Sequence, residues 1–468
     1  MSIQETSAEP PRRTAFRPPA PRPGDKPLSR LGLALTLRRN PITIWRRIHF
    51  EAPVVAGEGP LGYGAVLNDP AAIRHVLIDN VANYRKDRLQ RTVLAPGLGD
   101  GLLTAEGEDW RRARRILAPL FTPRRVAALA GAMTAPIEAS VARLERRSGR
   151  VVDVSAEMTR LTYDVLAATM FSNAIAGGAE AFSKALTRYF ETQGVIDPLD
   201  LVDAPKFLPR IGRILARPAI AFFEDRVKAI VADRKALVAS GAPAPDDLLQ
   251  ALLDARDPEG GPALSDREIG ANIVTFIGAG HETTANLLSW SLYLLSKDDR
   301  VRAAVEAEAD AMGDPVSAAL DPASRLPMTR AVLEEAMRLY PPVPSLSREA
   351  IRSDVAAGVR IPRGAIVVIA PYVLHRHVRL WSDPALFMPD RFLPGAREAI
   401  DRFAYLPFGA GPRVCIGMQF SMVEAMLALS MIVRRVRLAH AGEGPPRPLH
   451  RITLRPDGGM PMRVASRG

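Results

Sequence analysis

The segment Phe408-Gly409-Ala410-Gly411-Pro412-Arg413-Val414-Cys415-Ile416-Gly417 leads to the single cysteine of a 468-residue chain. An apolar run from Met418 to Val433 follows it, and its pattern predicts a helix. Glycines let a backbone pass close to a flat ligand. A helix that opens just beyond Cys415 turns its free N–H groups toward the sulfur. Those donors and the helix dipole favour a thiolate, the form of cysteine that ligates a metal. An isolated cysteine is more often a small buried hydrophobe; the glycines, the arginine and the helix around this one argue for a ligand.

Upstream, residues 266–297 carry the longest helical pattern. Ser265 followed by Glu268 has the spacing of a capping box. Within it lies Gly278-Ala279-Gly280-His281-Glu282-Thr283-Thr284, where glycines and threonines weaken a helix relative to alanine. The Thr283 hydroxyl is expected to bond the carbonyl of Ala279, four residues back. His281-Glu282 begins the zinc-protease spacing His-Glu-x-x-His, but Ala285 stands where the second histidine is needed, which excludes that chemistry. Glu335 and Arg338 share one face of a largely apolar helix, 327–339, which suggests a buried ion pair. Trp110 and Arg114 lie one turn apart in Trp-Arg-Arg-Ala-Arg-Arg, by itself a basic solvated face.

Composition sets the outer limits. Hydrophobic residues make up 47% and charged residues 24%, ordinary for a globular protein. One cysteine excludes an internal disulfide, a cysteine-rich zinc module and a protein-held iron–sulfur cluster. The net charge is 62 − 51 = +11, but no recognition motif accompanies it, so no nucleic-acid partner is expected. No apolar stretch reaches a membrane span, and a cytoplasmic protein is the expectation. Residues 1–30, rich in proline and arginine, read as a disordered tail; residues 31–468 read as a single domain. Helical patterns at 106–120, 123–147, 155–171, 217–239, 266–297, 298–312 and 327–339 make the fold mainly α with a small β-sheet region. Val359–Ile361 with Ala365–Ile369, and Val54–Val55 with Ala65–Leu67, are expected to form hairpins.

These segments together resemble the cytochrome P-450 family. Phe408 to Gly417 matches its pattern Phe-Gly-x-Gly-x-Arg-x-Cys-x-Gly at every fixed position. Ala279 to Thr284 matches Ala/Gly-Gly-x-Asp/Glu-Thr-Thr. Glu335 and Arg338 match Glu-x-x-Arg, and Pro389-Asp390-Arg391-Phe392 matches Pro-x-Arg-Phe. The likeness covers about residues 40–468, with the motifs in the family's order. It implies the cytochrome P-450 fold, with haem b (iron protoporphyrin IX) held between the long distal helix and the helix after the cysteine loop.

The resemblance also implies roles. Cys415 is then the thiolate ligand, within a loop shaped by Gly409 and Gly417, and Phe408 packs beside the sulfur. Arg413, Trp110, Arg114 and Arg348 are directed at the haem propionates, and His375 is a further candidate for the haem edge. Ala279 and Gly280 leave room for oxygen and substrate. Thr283 hydrogen-bonds dioxygen or an adjacent water, and Glu282 relays protons. A Glu335–Arg338–Arg391 network fixes the loop before Cys415. The activity implied is insertion of one oxygen atom of O2 into a C–H or C=C bond.

Electrons are then expected from a separate ferredoxin or flavodoxin fed by an NAD(P)H-dependent reductase, since the residues after Cys415 are too few for a fused one. Arg111, Arg112 and Arg115, or Arg434, Arg435 and Arg437, are candidates for docking such an acidic carrier. A peroxide-rearranging enzyme and a non-catalytic haem sensor share the cysteine loop, but the Glu282–Thr283 pair argues against both. Pocket walls are expected from 84–103, 186–212, 271–279, 343–347 and 456–461. Leu94, Leu102, Val274, Val343 and Met460 among them suggest an apolar small-molecule substrate.

Overall fold

The structure is a computed structural model that describes residues 15–59, 62–172, 179–193, 197–201, 207 and 209–467. At its centre runs the helix Asp266–Leu295. The capping box forms: Glu268 N–H donates to the Ser265 hydroxyl, and Ser265 N–H donates to the Glu268 carboxylate at 2.8 Å. Every residue from Thr284 to Leu295 is buried, so this half of the helix is enclosed on all sides and lies in the interior rather than on a surface. It packs on Val154–Phe171, Ile211–Ala239, Pro327–Leu339 and Met418–Arg435. The predicted helices are all present, with Ile211–Ala239 starting one to two turns before the expected 217. The mainly α fold with a small β region is the one observed.

The main sheet has five strands in the order Val54–Gly59, Gly62–Leu67, Ile366–Ile369, Leu346–Ala350, Tyr84–Arg85. The first hairpin forms as read, with Val54 opposite Leu67. The second does not. Val359–Ile361 pairs instead with Asp354–Ala356. Ala357 and Gly358 between them both have positive φ, 48° and 74°, the backbone of a tight two-residue hairpin turn. The Pro362–Gly364 turn then redirects the chain. Ile366–Ile369 enters the main sheet antiparallel to Leu346–Ala350 and parallel to Gly62–Leu67.

The expected disordered tail, residues 1–30, is ordered over the part that is described. Residues 1–14 lie outside the described residues, but 15–30 are seated on the body. The Phe16 ring meets Tyr293 edge-on at 6.1 Å. Its carbonyl accepts from Phe387 N–H at 2.9 Å, and the Pro19 carbonyl accepts from the Tyr340 hydroxyl at 2.8 Å. Tyr340 in turn stacks on the buried Trp290, centroids 3.8 Å apart. One aromatic and two backbone hydrogen bonds offset the ordering cost that proline already reduces. Phe16→Ala is expected to cost about 2 kcal/mol, read as a lower denaturant midpoint with the slope unchanged.

Candidate active site

The cysteine loop is built by its glycines. Gly409 and Gly411 have φ of 70° and 72°, and a Cβ on Gly411 would fall 2.1 Å from the Leu77 carbonyl oxygen; no other residue fits there. The turn closes with Cys415 N–H donating to the Phe408 carbonyl at 2.9 Å. The helix Met418–Arg435 begins three residues later, capped by Gly417. Cys415 sits deep in the protein, and yet its residue is exposed. Both hold only where a side chain lines an interior cleft. Burial pushes the thiol above its usual range, while Gly417 N–H and Arg114 pull it back. The donors act in the expected direction, but desolvation outweighs them.

The central helix packs on the helix that follows Cys415, with the Thr284 and Ser421 hydroxyls 3.0 Å apart. Ala279 is exposed and Thr283 half-buried on a helix otherwise enclosed. The Thr283 hydroxyl donates to the Ala279 carbonyl at 2.6 Å, as its spacing predicts. Gly280 differs from expectation. A Cβ there would meet Leu166 Cδ1 at 3.3 Å, so this glycine lets the helix Val154–Phe171 approach closely rather than opening space for oxygen. Glu282 is buried, with Oε2 lacking a partner among the described residues. Burial pushes its pKa up to about 7, against the Arg455 charge and the Thr453 hydroxyl, which lower it.

At the edge of the cleft, cations gather. Arg413 donates to Glu106 Oε2 at 2.5 Å and lies 4.2 Å over the Trp110 ring. Arg348 is buried, and its one hydrogen bond among the described residues goes to the Ser347 carbonyl. Arg114 has no hydrogen-bonded or ion-paired partner among the described residues and lies within electrostatic reach of Cys415. Lys86, which the sequence did not single out, is also buried here and donates to the Ala105 carbonyl at 2.9 Å. Burial, then the neighbouring Arg413, bring its pKa down to about 7. Glu106 and Asp87 are the carboxylates that act on this group. Buried cations in excess of their counter-ions favour an anionic ligand.

Behind the loop, Arg338 is wholly buried. Its Nε and Nη2 donate to Glu335 at 2.6 and 2.8 Å, and its remaining donors reach the carbonyls of His375, Pro384 and Leu386, each at 2.8 Å. Arg391 Nε lies 3.7 Å from Glu335 Oε1, so the three residues meet as the spacing implied. His375 does not face the cleft edge; its ring is bonded within the loop support, Leu406 N–H donating to Nε2 at 2.8 Å. Leu94, Leu102 and Val274 are buried within the wall, with Leu102 N–H pinned to Asn272 Oδ1 at 2.9 Å, and Val343 is exposed. Met460 is fully covered beside the strand Val151–Asp153 and presents no surface to a substrate. Residues 194–196, 202–206 and 208 of the expected walls lie outside the described residues.

A single thiolate cannot by itself fix an iron. Among the described residues no group of three His, Cys, Asp or Glu could complete a metal site. The four nitrogens of a porphyrin supply what is missing, and its two propionates suit the surplus cations. The residues present fit haem. The family described as Cytochrome P450 matches residues 24–461. The chain belongs to the cytochrome P450 family.

Cyclooctatin synthase of Streptomyces melanosporofaciens is 35% identical over 421 residues, 89% of each chain. Pentalenene oxygenase of Streptomyces avermitilis is 31% identical over 371 residues, 79% of this chain and 80% of that one. The crystal structure of the cytochrome P450DA heme domain superposes with a TM-score of 0.83 at 28% identity, covering 97% of this chain and 99% of that one. As a P450, the chain is a haem-thiolate monooxygenase: its cofactor is haem b, and its reaction places an oxygen atom from O2 in a substrate with the help of a redox partner.

Lys86 and Glu106 escaped the sequence reading because no motif contains them, and His375, read as a candidate for the haem edge, is placed in the loop support instead. Replacing Glu335 by Ala leaves the Arg338 charge buried without its partner. A loss of about 3–5 kcal/mol is expected, measured as a lower denaturation midpoint and a reduced haem-to-protein ratio after purification.

Proposed function

We propose that this P450 hydroxylates or epoxidises an apolar small molecule in the cytoplasm, with Thr283 and Glu282 delivering protons and Cys415 as the residue that would ligate the haem iron. The observation that carries the reading is an exposed Cys415 just before a helix that packs on the central helix, itself enclosed except at residues such as Ala279 and Thr283. Haem, when bound, supplies oxygen activation and the insertion chemistry. Arg413, Arg348 and Arg114 would hold its propionates, with Trp110 supporting the Arg413 guanidinium, and the Glu335–Arg338–Arg391 group would hold the loop.

The proton path starts from Thr283. Its hydrogen is committed to the Ala279 carbonyl, so its oxygen is left to accept from a water in the cleft. Glu282 supplies the proton. Near neutrality its carboxyl both holds and releases one, as a general acid must. Beyond it, Asn286 donates to the Thr453 hydroxyl at 3.2 Å, and Arg455 approaches the exposed Glu191 at 3.4 Å. These polar groups lead from Glu282 toward solvent. Leu94, Leu102, Val274 and Val343 supply apolar walls and no charge, which favours a hydrocarbon-like substrate. A relative named as an oxygenase of pentalenene agrees with that class.

Electrons would come from a ferredoxin or flavodoxin fed by NAD(P)H through a reductase. The arginine runs first considered for its docking are largely paired already. Arg111 meets Glu108, Arg112 meets Glu268 and Arg115 meets Asp257; Arg435 meets Glu145 and Arg437 meets Glu306. A groove of about 450 Å³ beside Phe408, Gly409 and Met418 is the better candidate surface because it adjoins the cysteine loop, and its Arg330 and Arg397 outnumber the one carboxylate they share, Glu334.

Thr283→Ala is expected to keep haem and substrate binding but cut product formed per NAD(P)H consumed by about tenfold, with the deficit recovered as hydrogen peroxide. Fully coupled turnover in that variant would remove Thr283 from the path. Glu282 is neutral below its pKa and ionised above it, so coupled turnover should fall as pH rises through about 7. Glu282→Gln should be about 100-fold slower and show no such limb, read from steady-state rates between pH 6 and 9.

A further inference from the structure

We infer that His375 is a positioning residue for the Cys415 thiolate: its Nε2 holds the Leu406 peptide and thereby sets the turn that presents Cys415. The inference rests on the reading of Cys415 as ligand. His375 follows the short helix Pro371–Leu374 and is wholly buried. Leu406 is also buried, and its N–H donates to His375 Nε2 at 2.8 Å. Without that acceptor a backbone donor would be left in the interior with nothing to bond, a costly state.

The bond lies between two rigid parts. On one side, Arg338 donates to the His375 carbonyl at 2.8 Å while gripping Glu335. On the other, Gly409 N–H donates to the Leu406 carbonyl at 3.2 Å, and Cys415 N–H donates to the Phe408 carbonyl at 2.9 Å. A continuous hydrogen-bonded route therefore joins the Glu335–Arg338 pair to the cysteine through the imidazole, beside the bond that the Tyr405 hydroxyl donates to the Glu334 carbonyl at 2.7 Å. Tyr405 packs against the ring at 5.0 Å between centroids and Trp381 at 6.5 Å, which fixes its plane.

Because Nε2 accepts, the ring proton sits on Nδ1. Burial and the charges of Arg338 and Arg376 keep the imidazolium pKa down at about 3, opposed in part by the carbonyls of Met337 and Arg338. The ring thus remains neutral, and Nε2 remains an acceptor, at any pH the enzyme meets.

The test uses the full-length, haem-loaded protein and two variants. His375→Leu keeps the bulk and removes the acceptor; His375→Gln puts an amide oxygen near the Nε2 position. The readout is the Soret band of the reduced carbon monoxide complex, whose strong red shift reports thiolate ligation, alongside circular dichroism for folding. In His375→Leu the ratio of complexes lacking the red-shifted band to those showing it should rise by about fivefold or more, the scale of one orphaned buried donor. His375→Gln should return the ratio toward wild type. An unchanged ratio in a folded His375→Leu variant overturns the inference. If that variant does not fold, His375→Gln decides: a wild-type band supports the role, while a folded protein without the band, or no folded protein, rejects it. Absence of the band from the wild-type protein would instead reject Cys415 as the ligand.

Discussion

The Arg338 guanidinium carries a full charge that never meets water, and the rest of the site is organised around satisfying it. Its donors are taken by Glu335 and by three carbonyls from the chain between His375 and Leu386, and the Trp381 ring lies 5.2 Å from its centre. Such a charge tolerates no alternative arrangement nearby, because any lost partner leaves it desolvated and unpaired. The irregular segment that runs up to Cys415 contains few regular elements of its own. It is held in shape by a fixed cation rather than by a sheet or helix ladder.

A second electrostatic feature faces the cleft. Arg114, Arg348, Arg413 and Lys86 collect where Glu106 and Asp87 provide the nearby negative charge. On the opposite wall, Glu282 is kept near neutrality by burial. Positive charge at the rim suits anionic propionates, while a carboxyl that shares its proton near pH 7 suits delivery to oxygen. Desolvation raises the acid's pKa and lowers those of the rim cations, so an anionic ligand that stabilises their charged forms is favoured there. The buried Thr284 hydroxyl, 3.0 Å from Ser421, ties the central helix directly to the cysteine helix, so the two walls of the cleft are braced against each other.

Several parts of this were legible from residue order. The capping box at Ser265 and Glu268 and the bond from Thr283 to Ala279 are local. Each is set by residues within a few positions of one another, and the structure shows each as its spacing implied. Other readings failed where a distant segment intervened. Gly280 faces Leu166, a partner the central helix alone cannot reveal. Ile366–Ile369 pairs with two strands far from it in sequence rather than with its nearer neighbour. The segment 15–30 looked solvated because its partners, Tyr293, Tyr340 and Phe387, lie far along the chain.

The residue order by itself determined which atoms are present for chemistry: one sulfur in a glycine-shaped turn, a threonine and a carboxyl on one helix, and an acid–arginine pair three residues apart. Those are fixed by residue type and short spacing, which no folding step alters. Only the tertiary structure decided which of them face the cleft, which arginines are already neutralised, and which histidine supports the loop. Those outcomes depend on burial, and burial is a property of segments that meet only when the whole chain has packed.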